Sequence, residues 1–370
     1  MRIGIVAYWF NRGQGVVARQ LRSALEDLGH ETFVLARPTR KTNIKPDWVD
    51  ESGVWDQAGV TRASDYLIPG EEYERWAGET GVELAFFDQN YQFDEIERLR
   101  HSGVRTVGRF VWEHFTAADV NPATAAFETI YSLTGCERER YADLGIESPR
   151  VHWGCHPDLV DHDLRSEPDS QTIPLMFPGG FMSKRKPLAE VIEAFRAAEG
   201  PELRLVLKAQ VERRLTQVKR MARGGRIGRR DPRIDIITRD LPTEEYLRLF
   251  ASAAAIVAPS RWEGLGLHLY EATALGIPIV TNDNPPMNEI VVDGRNGLLV
   301  PGIPDGEARS GIPAFRPDVE ALTAAIERLR DPELRKRLAA GARERRGELS
   351  WERTTGEIGR LVEGGGGASD

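Results

Sequence analysis

Two glutamates with seven residues between them, Glu263 and Glu271, bracket the stretch Gly264-Leu265-Gly266-Leu267, and together they suggest ligand chemistry. The apolar run 254–258 predicts a buried strand, 267–275 a helix and 277–281 the next strand. That strand-loop-helix-strand unit belongs to an α/β sheet, and loops at such strand ends are where open sheets bind ligands. Gly264 and Gly266 let the backbone approach a ligand closely. The helix that follows aims unpaired N–H groups toward it, which suits a phosphate.

A carboxylate repels phosphate, so its presence beside an anion cradle needs a reason. Both glutamates fit if they accept hydrogen bonds from hydroxyl groups flanking a diphosphate, one on a sugar and one on a ribose, as in a nucleotide sugar. In a continuous helix they would sit about 12 Å apart along the axis. The glycines argue instead that Glu263 lies in the loop and folds back over the site. The plainer alternative is that both acids only complement the helix dipole.

The pattern Pro259-Ser260-Arg261-Trp262-Glu263-Gly264-Leu265-Gly266, the second Glu271, Gly276-Ile277-Pro278, Glu289 and Asn296-Gly297-Leu298-Leu299-Val300 occur in order within one window. This window resembles the signature of the retaining glycosyltransferases of family 4. The resemblance implies an α/β chain of GT-B fold, with two Rossmann-like doubly wound domains facing an interdomain cleft. It extends to Gly13-Gln14-Gly15 after a first strand, to Pro178-Gly179-Gly180-Phe181, and to Ser350-Trp351-Glu352 at the start of a closing helix. It is weakest over 37–83, where acceptor specificity varies in such enzymes.

For the site, the resemblance implies Lys186, Glu263 and His114 as catalytic residues. Lys186 would neutralise the leaving diphosphate, Glu263 orient the donor sugar and Glu271 hold the ribose. Gly13, Gly15, Gly180, Lys208, Gly264, Leu265, Gly266 and Leu267 complete the expected donor-binding set. Where the family often carries an arginine after a loop glycine, this chain has Gly180, and Lys208 at the end of a predicted strand is the candidate replacement. His114 and Trp9, each just beyond a predicted strand, are the acceptor-side candidates, although most tryptophans are simply packed. A second departure is 282–289, Asn-Asp-Asn-Pro-Pro-Met-Asn-Glu, in place of a small Gly-rich turn.

Length and charge bound the alternatives. A chain of 370 residues favours two domains. The expected division is 1–160 with a closing helix at 350–363 for the acceptor side, 170–349 for the nucleotide-sugar side, and a disordered tail at 364–370. A net charge of −8 argues against a general nucleic-acid partner. No leader pattern opens the chain and no apolar run approaches the ~20 residues that span a bilayer, so a cytoplasmic enzyme is expected. The arginine-rich stretch 213–233 is the candidate for a peripheral contact with an anionic membrane, against the plainer reading of a solvated helix and loop.

Cys136 and Cys155 have no metal or redox spacing. His152, Cys155, His156 and His162 crowd together with Asp158, Asp161 and Asp163, but no two form a recognisable ligand pair, so neither metal nor cofactor is expected. Strands are also predicted at 3–7, 32–35, 84–87, 106–112, 129–132, 151–153, 175–178, 203–207, 235–237 and 298–300. One competing motif remains: Gly13-Gln14-Gly15-Val16-Val17-Ala18 fits the dinucleotide fingerprint, with Arg37 as a contact to an NADP phosphate. The segment 8–12 between the first strand and Gly13 argues against that oxidoreductase reading. Within the resembling fold, a nucleotide-sugar epimerase, a sugar phosphorylase and a non-catalytic sugar-nucleotide binder stay open. The expected partners are a nucleotide-sugar donor and a glycan, lipid-linked or small-molecule acceptor.

Overall fold

The computed structural model describes residues 1–43, 45–160, 171–180, 184–210 and 231–364. The chain forms two compact units, Met1–Trp153 with the C-terminal residues from Trp351, and Gly154–Ser350. The basic stretch lies outside the described residues over 211–230, as do His162, Asp161, Asp163, Phe181 and the tail beyond Gly364.

Unit 1 is built on β1 (Arg2–Tyr8), β2 (Glu31–Arg37), β3 (Val60–Arg62), β4 (Leu84–Asp88), β5 (Arg105–Arg109) and β6 (Thr129–Ile130), in the order β3-β2-β1-β4-β5-β6. Every pairing is parallel. Helices cover both faces of such a sheet, which is why β1 and β4 read as nearly unbroken apolar runs. The helix Gly13–Asp27 follows β1, and the C-terminal helix Trp351–Glu363 packs against it.

Unit 2 repeats the plan. Its strands are β7 (Ile173–Gly180), β8 (Leu203–Ala209), β9 (Ile234–Ile237), β10 (Ala255–Val257), β11 (Ile279–Asn282) and β12 (Gly297–Val300), ordered β12-β11-β10-β7-β8-β9 and again all parallel. Counted from each unit's own first strand, the two orders are the same. Leu188, Val191, Ile192 and Phe195 of one helix and Leu322 and Ile326 of another close the core over Leu175, Phe177, Leu205 and Leu207. In this topology the order reverses between β1 and β4 in unit 1 and between β7 and β10 in unit 2. Loops leaving those strands in opposite directions open a crevice at their carboxyl ends.

Several local expectations change. Residues 110–112 leave the sheet after Arg109, and 151–153 form no strand; an isolated bridge between Ser132 and Arg150 stands there instead. β3 was not expected, because three half-exposed edge residues carry no apolar pattern. The antiparallel pair β13 (Gly302–Glu307) and β14 (Pro313–Pro317) was also unexpected, since its glycines and prolines read as loop. It is tied to unit 2 by Phe315 N donating to Arg261 O at 3.0 Å.

Candidate functional site

The densest charge cluster of unit 2 sits at its strand-order reversal. Lys186 comes from the loop after β7, and Ser260 and Glu263 from the loop after β10. Lys186 Nζ donates to Glu263 Oε1 at 2.6 Å and to Ser260 Oγ at 2.8 Å, and Ser260 Oγ donates to the same Glu263 oxygen at 2.7 Å. Arg185 approaches the other Glu263 oxygen at 3.4 Å. Glu263 is only 4% exposed. Two further links hold the loops in register: Arg261 N donates to Arg185 O at 2.9 Å, and the Arg261 guanidinium pairs with Asp305 of β13 at 2.7 Å. Asn282 Nδ2, at the end of β11, bridges Ser260 O at 3.2 Å and Phe315 O at 3.1 Å.

Burial by itself would raise the Glu263 carboxyl. Arg185 and Lys186 outweigh it and hold the group well below the usual carboxylate range. His268 moves the other way: burial and the Lys186 charge push it down to about 3, so it is a neutral imidazole, and its Nε2 is buried without a hydrogen-bond partner. The arrangement is an ionised carboxylate clamped by cations beside a helix start.

Gly266 caps that helix, Leu267–Ala274, with a φ of +77°, a left-handed conformation glycine adopts without strain. Leu265 before it is buried and Leu267 opens the helix. Glu263 therefore stands in the loop, as the glycines imply, while Glu271 lies inside the helix with a different partner: Tyr246 Oη donates to its Oε2 at 3.3 Å. Burial pushes Glu271 up to about 7 against the opposing Tyr246 bond. The two acids thus occupy separate electrostatic settings.

The remaining expected residues divide. Gly180 ends β7 with a φ of +51° and open space where a side chain would stand. Lys208 is 2% exposed, and its Nζ donates to the carbonyls of Ala209 at 2.8 Å and Arg239 at 2.9 Å, tying down the end of β8. In unit 1, Gly13 begins its helix in an exposed position. Gly15 is glycine for an internal reason: a Cβ there would lie 2.2 Å from Phe10 O, so its close approach is to the chain itself. Trp9 is a correction. It is 0% exposed, sits edge-on to Trp55 at 5.5 Å and donates from Nε1 to Trp55 O at 2.8 Å, which leaves no ring face for an acceptor. His114 lies in a turn past β5 with its side chain 52% exposed, 3.5 Å from Glu113 Oε1.

Among the described residues no group of three His, Cys, Asp or Glu side chains could hold a metal ion. His152 is engaged by Glu357 at 3.0 Å, and His156 is buried. Sequence reasoning missed Arg185, His268 and Tyr246 as members of the site. The run Lys184-Arg185-Lys186 was a usable signal for Arg185, whereas Tyr246 had none, because its helix meets Glu271 only through the fold.

Residues 171–345, nearly all of unit 2, match the family model described as "Glycosyl transferases group 1". The match makes unit 2 similar to the group 1 glycosyltransferases, and the two sheets are the paired Rossmann-like domains of the GT-B fold. It is 34% identical to a D-inositol 3-phosphate glycosyltransferase of Frankia alni over 114 residues, which are 30% of this chain and 25% of that protein. It is 33% identical to a GDP-mannose-dependent alpha-(1-6)-phosphatidylinositol monomannoside mannosyltransferase of Mycolicibacterium smegmatis over 138 residues, 35% of this chain and 31% of that one. These alignments span a third or less of the curated relatives. Among solved structures, Anabaena HepE in complex with UDP-glucose superposes with a TM-score of 0.73 at 13% identity, covering 98% of this chain and all of that one. Sucrose-phosphate synthase from Thermosynechococcus elongatus superposes at 0.72 and 18% identity over 98% of both chains. At these identities the superpositions establish the fold. No helix among the described residues is long and apolar enough to cross a membrane.

Proposed function

We propose that this chain is a retaining, metal-independent glycosyltransferase that moves a sugar from a nucleoside diphosphate to an acceptor hydroxyl. The observation that carries the reading is the buried Lys186–Ser260–Glu263 cluster with Arg185, at the strand-order reversal of unit 2. Separating a sugar from its diphosphate builds negative charge on the leaving oxygens. The site supplies cations and helix N–H groups that are already in place to meet it, which is the most effective form of charge stabilisation. Lys186 and Arg185 take that charge in this reading. Glu263, kept ionised, accepts hydrogen bonds from the donor sugar, Glu271 from the ribose, and His114 lines the transfer site.

No cofactor is required, because the bond energy comes from the donor itself. The acceptor is a hydroxyl on a glycan, a lipid-linked sugar or a small molecule, and the site of action is cytoplasmic, with 213–233 as the segment for peripheral membrane contact. That relatives are named for GDP-mannose and inositol phosphate chemistry, and that HepE is solved with UDP-glucose, supports a nucleotide-sugar donor.

The test is a panel of UDP-, GDP-, ADP- and dTDP-sugars, scored by thermal stabilisation and by nucleotide release, on wild type and Glu271→Ala, with and without EDTA. One donor should stabilise the wild type, the shift should shrink in the variant, and EDTA should change nothing. Silence from every donor sinks the reading. Release that depends on inorganic phosphate redirects it to a phosphorylase.

A further inference from the structure

The strand-order reversal of unit 1 carries a second cluster that none of the roles above uses. Arg37, the last residue of β2, is 1% exposed, and its guanidinium lies 4.9 Å from the ring centroid of Tyr8 and 4.7 Å from that of Tyr66. Arg40 sits 4.4 Å from the centroid of the same Tyr66 ring and donates to Tyr66 Oη at 2.9 Å. Tyr8 ends β1 and Gln89 follows β4, so the group gathers at the carboxyl ends of the three strands around the reversal. The Tyr8 ring lies 5.2 Å from the buried Phe10, which in turn stacks on Trp48 at 4.5 Å.

Three observations point to a missing anion. First, neither Arg37 nor Arg40 forms an ion pair with a carboxylate among the described residues; Asp88, the buried acid that the Arg37 charge reaches, is hydrogen-bonded to Arg109 at 3.0 Å instead. Second, Arg37 donates through one terminal nitrogen to Gln89 O at 2.8 Å, yet its Nε is buried without a hydrogen-bond partner, and so is Gln89 Nε2. Buried donors are almost always satisfied, so two orphans in one place ask for an acceptor. Third, Gln89 holds a left-handed φ of +50°, a conformation that non-glycine residues retain mainly where function requires it. The field is consistent with this: burial would raise Tyr66, but Arg37 and Arg40 hold it below its ordinary value.

We propose that this cluster is the binding site for a phosphomonoester group, which on the transferase reading belongs to the acceptor. Two guanidinium forks, with the one phenol hydrogen left once Tyr8 and Tyr66 bond each other, offer more donors than the two oxygens of a carboxylate can take, whereas a phosphomonoester brings three acceptor oxygens and close to two charges.

The test titrates the full chain calorimetrically, without nucleotide, using glycerol 3-phosphate, glucose 6-phosphate and monomeric dihexanoyl phosphatidic acid, with glycerol and glucose as neutral counterparts. At least one phosphorylated probe should bind and the neutral compounds should not. Arg40→Gln, at an exposed residue, should weaken binding about tenfold, the loss of one charge-assisted contact. Arg37→Gln should weaken it further if the variant folds, which circular dichroism checks. Binding of the short-chain lipid alone assigns the phosphate to a lipid, and binding of the polyol phosphates alone to a soluble acceptor; either supports the site. Binding that falls with Lys186→Ala and ignores Arg40→Gln belongs to the donor loop and overturns the assignment, as does no binding at all. Should no nucleotide sugar turn over while phosphomonoesters still bind through Arg40, the transferase reading fails and this one stands.

Discussion

Unit 1 and unit 2 share one strand order, and at the same topological position they carry different electrostatics. In unit 2 the reversal point holds a carboxylate already neutralised by cations, Glu263 between Lys186 and Arg185. In unit 1 it holds cations set against aromatic rings, Arg37 and Arg40 around Tyr8 and Tyr66, with no ion pair to a carboxylate among the described residues. The shared sheet provides only the location, a crevice where loops diverge. Side chains on those loops decide what enters it, and here the loops have diverged while the sheets have not.

The same contrast separates structure from function among the aromatic and charged residues, and four measurements press on it. The largest effect is expected in unit 1 from Trp9→Ala. Removing a fully buried indole with a satisfied N–H should cost about 3–5 kcal/mol in a denaturant titration; a small loss accompanied by a specific acceptor defect would return Trp9 to the binding surface. In unit 2, Lys186→Ala should lower turnover about a hundredfold, equivalent to about 3 kcal/mol of lost charge stabilisation, while circular dichroism stays native. An active Lys186→Ala variant removes the role given to that lysine.

Each unit also contains one carboxyl that burial pushes up to about 7, Glu137 in unit 1 and Glu271 in unit 2, from an ordinary 4.5. Raised values mean that the fold prefers the protonated form. The associated stability is complete below about pH 4.5 and is lost as pH rises toward 7. Glu271→Gln, which mimics the neutral form, should flatten that decline in urea titrations run between those pH values, leaving the shares of Glu137 and of Asp88, whose carboxyl burial also raises, in place. If the slope is unchanged, the Glu271 carboxyl ionises normally. The smallest effect is expected from His114→Ala: its half-exposed side chain should contribute no more than about 0.5 kcal/mol to stability. A fall in turnover without a fall in stability would support its place at the transfer site, and unchanged turnover would end it.

Both sheets were legible from apolar runs and their punctuation, because a parallel strand covered on two faces must be apolar throughout. β3 and the β13–β14 hairpin were not legible, since an exposed edge triplet and a Gly/Pro-rich ribbon carry no such pattern. Glu263 and Glu271 were found through their spacing about a glycine turn. Trp9 was misjudged because lying just past a strand says nothing about which way a ring turns; the carbonyl of Trp55, 46 residues on, decided it.

What the sequence determined alone is local: the glycine that permits φ of +77° at Gly266, the helix that starts there, and the placement of Glu263 in the loop before it. Turn chemistry and periodicity act over a few residues, so they can be read along the chain. What the tertiary structure decided is which distant groups meet. Lys186 reaches Glu263 across 77 residues because β7 and β10 are neighbours in the sheet, and Arg37 reaches Gln89 across 52 because β2, β1 and β4 are. Strand order is set by burial of whole faces rather than by any single residue, and it is strand order that turns separate loops into a site.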